Sequence, residues 1–270
     1  MKKLLAVILA LAMMLTLVAC GNTDNDNDGA NNGADNENGN VVNNNDDAAD
    51  DVDTPAESVM TYAEYIAADV DTPVVVETYV QAKQSWWDDK ATVYSQDEDG
   101  AYFIYNMACS EDDYAKLTVG TKIRVTGYKA EWSGEVEIVD ATFEIIDGNF
   151  VASALDVTSL LGTDELIAHQ NEFVSFKGMT VEASQDADGN DVAFLYNWDG
   201  SGQDGNDLYF KVSLDGTTYT FTVESYLCDN TTEVYNAVKA LNIGDKIDME
   251  GFLYWYEGVN PHITAVSAAN

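Results

Sequence analysis

The strongest constraint on the fold of this 270-residue chain is a gapless internal match. Leu117-Thr-Val-Gly-Thr-Lys-Ile-Arg-Val-Thr-Gly127-Tyr128 aligns with Leu241-Asn-Ile-Gly-Asp-Lys-Ile-Asp-Met-Glu-Gly251-Phe252, with Leu, Gly, Lys, Ile and Gly recurring at identical spacing. Self-similarity at fixed spacing implies two copies of one supersecondary unit. The match extends beyond this segment. Glu64-Tyr-Ile-Ala reads against Glu165-Leu-Ile-Ala, each in a short helical pattern ahead of an apolar strand, and Cys109 and Cys228 each end a β-rich run before a polar cap and helix. Two units follow, about 61–146 and 163–266.

Periodicity orders the elements within a unit. In the first, a short helix precedes a strand over 74–82, and 91–94 with 101–105 form a hairpin around Asp99-Gly100, a strong turn signal. A helix at 110–116 stops at Gly120, and strands over 122–128 and 136–146 flank Ser133-Gly134. The second unit is longer and admits two registers. Aligning the cysteines pairs the Asp99-Gly100 turn with Asp215-Gly216. Aligning Ser95-Gln-Asp-Glu-Asp-Gly100 with Ser184-Gln-Asp-Ala-Asp-Gly189 instead pairs Phe103-Ile-Tyr-Asn with Phe194-Leu-Tyr-Asn. Both registers leave an extra hairpin in the second unit.

Five strands with a helix between the third and fourth resemble the OB-fold, a small Greek-key barrel. The expected architecture is therefore mainly β with short helices: two tandem OB-fold-like five-stranded barrels after a disordered tether. Domain 1 covers 58–148, a linker 149–162, and domain 2, with the extra hairpin, 163–270. The resemblance implies a binding surface on the strand 2–3 face and on the loops joining strands 1–2 and 4–5, which in OB-folds take oligonucleotides and oligosaccharides. Trp86 and Trp87 fall in the first of these loops, beside Asp88-Asp89. Trp132 and Trp255 fall near the other loop, five and four residues beyond the matched glycines. Flat aromatic faces beside carboxylates suit sugar rings, whose C–H faces stack while their hydroxyls donate to the acids. Trp86, Trp87, Trp132 and Trp255 are therefore the candidate ligand-binding residues.

The N-terminus has a different chemistry. Lys2-Lys3 precede a run from Leu4 to Val18 that is apolar apart from Thr16, and Ala19-Cys20-Gly21 follow. This is the pattern of a secretory signal peptide, and it is shorter than the ~20 apolar residues of a membrane span. Leu17-Val18-Ala19-Cys20 resembles the bacterial lipobox. That resemblance implies diacylglycerol on the Cys20 thiol, cleavage after residue 19, and a chain anchored at the outer surface of the cell membrane. Residues 22–50 are almost entirely Asn, Asp, Gly and Ala, which offers nothing to bury, so 20–57 is expected to be a disordered tether. Its flexible-coil span is roughly 30–37 Å.

Against 12 Lys and Arg stand 48 Asp and Glu, a net charge of -36. Eleven of the acids lie in the tether, and both repeat units remain acidic on their own. Since nucleic-acid affinity rests on Lys and Arg neutralising phosphates, this composition gives the expectation of no nucleic-acid partner. Only two histidines occur, His169 and His262, in unrelated contexts that suit structural roles, and no nucleophile elbow, zinc-helix motif or phosphate loop is present, so no catalytic residues are assigned. Asp186-Ala-Asp188-Gly-Asn190-Asp191 resembles the opening of an EF-hand calcium loop, making Asp186, Asp188 and Asn190 a weak Ca2+ candidate. It departs from the pattern at its sixth and twelfth positions, Asp191 and Asn197. The expected function is a cell-surface lipoprotein acting as a non-catalytic binding or adaptor module, for carbohydrate, glycopolymer or an envelope protein. A calcium-dependent protein-interaction module and a small hydrolase are the alternatives.

Overall fold

The computed structural model describes residues 58–269, so the leader, Cys20 and the tether lie outside the described residues. No helix among the described residues is long and apolar enough to cross a membrane. Both repeat units belong to one compact unit. The first comprises α1 (Tyr62–Ala67), β1 (Pro73–Lys83), β2 (Lys90–Gln96), β3 (Ala101–Ala108), α2 (Glu111–Tyr114), β4 (Thr121–Trp132) and β5 (Glu135–Asn149). Its strands close in the order β1-β2-β3-β5-β4, with β4 returning to β1. Neighbours are antiparallel except for β3 and β5. This is the OB-like barrel that the element order predicted.

The second barrel repeats that order with insertions. A two-residue strand β6 (Leu155–Asp156) leads, through a 3-10 turn at Leu166–His169, into β7 (Phe173–Glu182). Short β8 (Ser184–Gln185), β9 (Asp191–Val192) and β10 (Leu195–Tyr196) follow. Then come β11 (Leu208–Leu214), β12 (Thr217–Val223), α3 (Glu233–Lys239), β13 (Lys246–Phe252) and β14 (His262–Ala268). Closure runs β7-β11-β12-β14-β13, with β12 and β14 parallel. The cysteine-based register is therefore the structural one. The competing match paired the β2–β3 hairpin with β8–β9, an insertion. Both turns begin with an aspartate whose Oδ1 accepts two backbone N–H groups: Asp97 from Asp99 and Gly100, Asp186 from Asp188 and Asn190. The similarity reflects common turn chemistry.

Each position of the repeated pattern has a physical task. Gly120 (φ +88°) and Gly244 (φ +92°) take the left-handed conformation that releases the chain from the helix segment into the fourth barrel strand. Ile123 and Ile247, three residues on, fill the two cores. Gly127 and Gly251 sit where the fourth strand shifts register against the fifth, and a side chain there would collide with backbone. A Cβ at Gly127 would lie 2.8 Å from the Val139 carbonyl oxygen, and one at Gly251 only 2.2 Å from that of His262. Gly251→Ala should lower stability by roughly 1–3 kcal/mol, as overpacking does. A denaturant midpoint equal to that of the parent would contradict this account.

The barrel interiors alternate as period-2 strands require. Tyr102 and Ile104 of β3 point inward, as do Leu208, Phe210 and Val212 of β11. Tyr65 of α1 and Leu166 of the 3-10 turn occupy matched positions, and each is buried in its own barrel's core. The second copy of this opening helix is thus reduced to a single 3-10 turn. The α1 C-terminus is closed by Lys129, whose ammonium donates to the carbonyls of Tyr65, Ile66 and Ala68. Cys109 and Cys228 are buried free thiols beside α2 and α3, behaving as small apolar residues.

Candidate ligand-binding cleft

The alternation that puts Tyr102 and Ile104 inside the first barrel puts Tyr94, Phe103 and Tyr105 on its outer strand 2–3 face. Half of that face is covered by the second barrel. Tyr94 stacks on Phe252 with ring centroids 4.6 Å apart, Phe103 meets Tyr254 edge-on at 5.2 Å, and Phe173 and Leu227 complete the cluster. The Tyr94 hydroxyl lies 2.6 Å from His262 Nδ1 and accepts from Gln84 Nε2 at 3.3 Å. Burial holds His262 down at about 3, so it is neutral at ordinary pH.

Polar contacts lock the same interface. Phe173 N–H donates to Gln96 Oε1 (2.8 Å), Gln170 Nε2 to the Gly134 carbonyl (2.8 Å) and Asn171 Nδ2 to the Val136 carbonyl (3.0 Å). The second barrel's strand 4–5 loop reaches back to the first barrel. Trp255 N–H donates to Glu135 Oε2 (2.8 Å), and Glu257 N–H donates to the Ser133 carbonyl (2.8 Å). From the other side, Ser85 N–H donates to the Tyr226 carbonyl (2.7 Å).

The uncovered half of the face forms one wall of a cleft of about 1100 Å³ between the barrels. The first barrel contributes Trp87 from the β1–β2 loop, Tyr105 from β3, Trp132 at the end of β4 and Glu137 from β5. Facing them are Trp198, Tyr209 of β11, and Glu224 and Tyr226 just past β12. Tyr254, Tyr256 and His262 close the second wall. The three tryptophans are 63 %, 60 % and 75 % exposed in the order Trp87, Trp132, Trp198. Indoles this open contribute little to the fold. Those that line a shared cavity offer flat stacking surfaces to a ligand.

Two cleft carboxylates are perturbed by burial. Glu137 is 8 % exposed and its pKa is raised by loss of water alone. Glu224 is pushed up to about 7, first by burial and then by neighbouring Asp207, although its Oε2 accepts the Leu227 N–H. Glu135, behind the cleft, is fully buried and is pushed up to about 8, chiefly by desolvation. Its Oε1 and the Asn171 Oδ1 have no hydrogen-bond partner as bare acceptors. A protonated Glu135 donating to Asn171 would satisfy both, and Asn171 Nδ2 is already committed to Val136.

The raised pKa of Glu135 fixes a sign for stability. Between about 4.5 and 8 the folded state holds a proton that the unfolded chain has lost, so stability falls as pH rises through that window and is flat on either side. Glu135→Gln, which mimics the protonated acid, should therefore flatten the pH profile. The melting temperature should rise at pH 9 by on the order of 5 °C relative to the parent and change little at pH 4. An unchanged profile would refute the buried protonated state.

The residues singled out from sequence divide accordingly. Trp87 and Trp132 reach the cleft. Trp86 turns inward, with its Nε1–H donating to the Cys109 carbonyl at 2.9 Å. Trp255 packs against the second barrel's core and beside Gly134, where an added Cβ would lie 2.9 Å from the Trp255 ring. It is therefore part of the interdomain wedge, and neither Trp86 nor Trp255 is among the residues that line the cleft. Asp186, Asp188 and Asn190 form the β8–β9 turn, where Asp186 Oδ1 accepts two backbone N–H groups and its Oδ2 accepts from Asn190 Nδ2. Its carboxylate is thus committed to the turn, and among the described residues no group of three acidic, histidine or cysteine side chains could hold a metal ion. Sequence reasoning missed Trp198, the tyrosines, Glu137 and Glu224. Only Trp198 carried a signal, its place in the insertion that lengthens the second barrel's first loop.

No family model matches the chain, and no curated protein is similar to it. Among solved structures, the Ifi202 HINa domain in complex with a 20bp dsDNA is 13 % identical, with a TM-score of 0.32, over 74 % of this chain and 97 % of that one. A murine DNA binding protein bound with dsDNA is 11 % identical, with a TM-score of 0.33, over 73 % and 100 %. A replication protein A heterotrimer bound to ssDNA is 9 % identical, with a TM-score of 0.25, over 79 % and 69 %. The expectation of no nucleic-acid partner is corrected by these matches. It rested on acidity alone, whereas these chains are seen bound to DNA.

Proposed function

We propose that this protein is a non-catalytic binding module whose cleft between two OB-like barrels takes a carbohydrate chain, held at the bacterial surface by a lipid on Cys20. The observation that carries the reading is the convergence of Trp87, Trp132 and Trp198, all exposed, on one cleft also lined by tyrosines and carboxylates. Sugar rings stack on such surfaces through their C–H faces, while the carboxylates and tyrosine hydroxyls take up the sugar hydroxyls. At about 1100 Å³ the cleft suits an oligosaccharide more than a single sugar. The tight interface supports a site that exists before the ligand arrives, which spares the ordering that loose domains would require.

Intrinsic tryptophan fluorescence of the full chain, titrated with a panel of oligosaccharides and with single-stranded and duplex oligonucleotides, tests the reading. A saturable change with a glycan supports it. A flat response to every glycan, or saturation by oligonucleotide alone, overturns it. For the anchor, Cys20→Ser should move the protein from the membrane fraction to the soluble fraction, and retention of the variant on membranes would refute the lipid attachment.

A further inference from the structure

We infer that the ligand of this cleft carries positive charge, and that the glycan is one bearing free amines, an oligomer of amino sugars in the ammonium form. This rests on the carbohydrate reading above and narrows it. Glu137 and Glu224 both line the cleft, one from each barrel, and the charge of both carboxylates helps to raise the pKa of the Tyr254 hydroxyl that lines it with them. Glu137 has lost most of its water, and only burial acts on it; no cation or hydrogen-bond donor offsets the loss. Glu224 is met only by backbone N–H groups, those of Tyr226 and Leu227, and its charged neighbour is a further acid, Asp207.

A neutral ligand closing over these groups would strip the remaining water and return hydroxyl donors but no charge, which offsets the burial of a carboxylate only in part. An ammonium within reach of either carboxylate would replace that water with a charge-assisted hydrogen bond. The aromatic lining acts in the same direction. Cations are attracted to the faces of Trp and Tyr rings, and most strongly where water is excluded. One base, Lys90, lines the cleft, against Glu137, Glu224 and Glu257, so the lining is net acidic. An amino sugar satisfies both features with one ring: its C–H face on an indole and its ammonium on a glutamate.

Calorimetry on the full chain at physiological salt, using a glucosamine oligomer and its N-acetylated counterpart of equal length, separates this inference from the reading beneath it. The glucosamine oligomer should bind at least on the order of tenfold more tightly. Glu137→Gln and Glu224→Gln should each remove most of that preference, weakening the glucosamine oligomer far more than the N-acetylated one. Glutamine keeps the shape of the side chain, and matching circular dichroism and melting curves would establish that these variants fold. Equal affinity for the two oligomers, insensitive to both substitutions, overturns the charge inference and leaves the carbohydrate reading standing. Absence of binding by either oligomer counts against both. Glucosamine binding that survives replacement of Trp87, Trp132 and Trp198 together by alanine would mark attraction of a polycation to an acidic surface and would also overturn the inference.

Discussion

Replacing Tyr94 by alanine is expected to destabilise the folded unit by roughly 3–5 kcal/mol and to abolish ligand binding, although Tyr94 is not among the residues lining the cleft. The ring is fully buried between the barrels, stacked on Phe252 and edge-on to Phe103, so its removal opens a cavity at the centre of the interface. It also strips His262 of its hydroxyl partner and leaves the Gln84 amide without its acceptor. For a unit of this length such a loss corresponds to a fall in melting temperature on the order of 10 °C. Tyr94→Phe keeps the stacking and removes only the hydrogen bonds, which should lower stability by about 1–3 kcal/mol because His262 is then buried without a partner. The order alanine, phenylalanine, parent in thermal or urea unfolding is the prediction. If Tyr94→Ala unfolds at the parent's midpoint, the barrels are not held by this cluster and the cleft cannot be a fixed site.

The second large effect concerns the ligand. Trp87→Ala, Trp132→Ala and Trp198→Ala should each weaken glycan binding by about 2 kcal/mol, or about 30-fold, the loss typical of an aromatic anchor. Stability should move by no more than about 0.5 kcal/mol, because the three indoles are largely exposed. Trp86→Ala and Trp255→Ala should behave in the opposite way. The first removes the donor to the Cys109 carbonyl, and the second empties the wedge beside Gly134 and the second core, so both should lower the melting temperature markedly. Calorimetry paired with thermal unfolding on all five variants separates the two groups. Loss of binding without loss of stability in Trp86→Ala would contradict the assignment.

This division shows how far the residues alone can be read. The barrels were legible because a barrel imposes local requirements. Gly120 and Gly244 must turn left-handed, Gly127 and Gly251 must clear the neighbouring backbone, and the strands between turns must alternate. Those requirements leave spacing and period in the sequence. The cleft imposes none. Tyr105, Glu137, Tyr209 and Glu224 come together only because two outer faces meet, and nothing near any one of them marks the face as outer, covered or open. The tryptophans were half legible for the same reason. Loop position distinguished them from core residues, yet Trp86 and Trp87, adjacent in sequence, point to opposite sides of the chain, one to the Cys109 carbonyl and one to the cleft. Charge was legible only in total: a net charge of -36 describes the whole chain, and which few charged groups line the cleft cannot be read from it.

The most direct test of the cleft as the ligand site follows the five indole Nε1–H resonances during titration with an oligosaccharide that quenches or enhances fluorescence. Trp87, Trp132 and Trp198 should shift along saturating curves with a common midpoint, while Trp86, hydrogen-bonded to Cys109, and Trp255, packed at the interface, stay in place. Shifts confined to Trp86 and Trp255, or saturable binding that leaves all five signals unmoved, would place the ligand elsewhere and contradict the account.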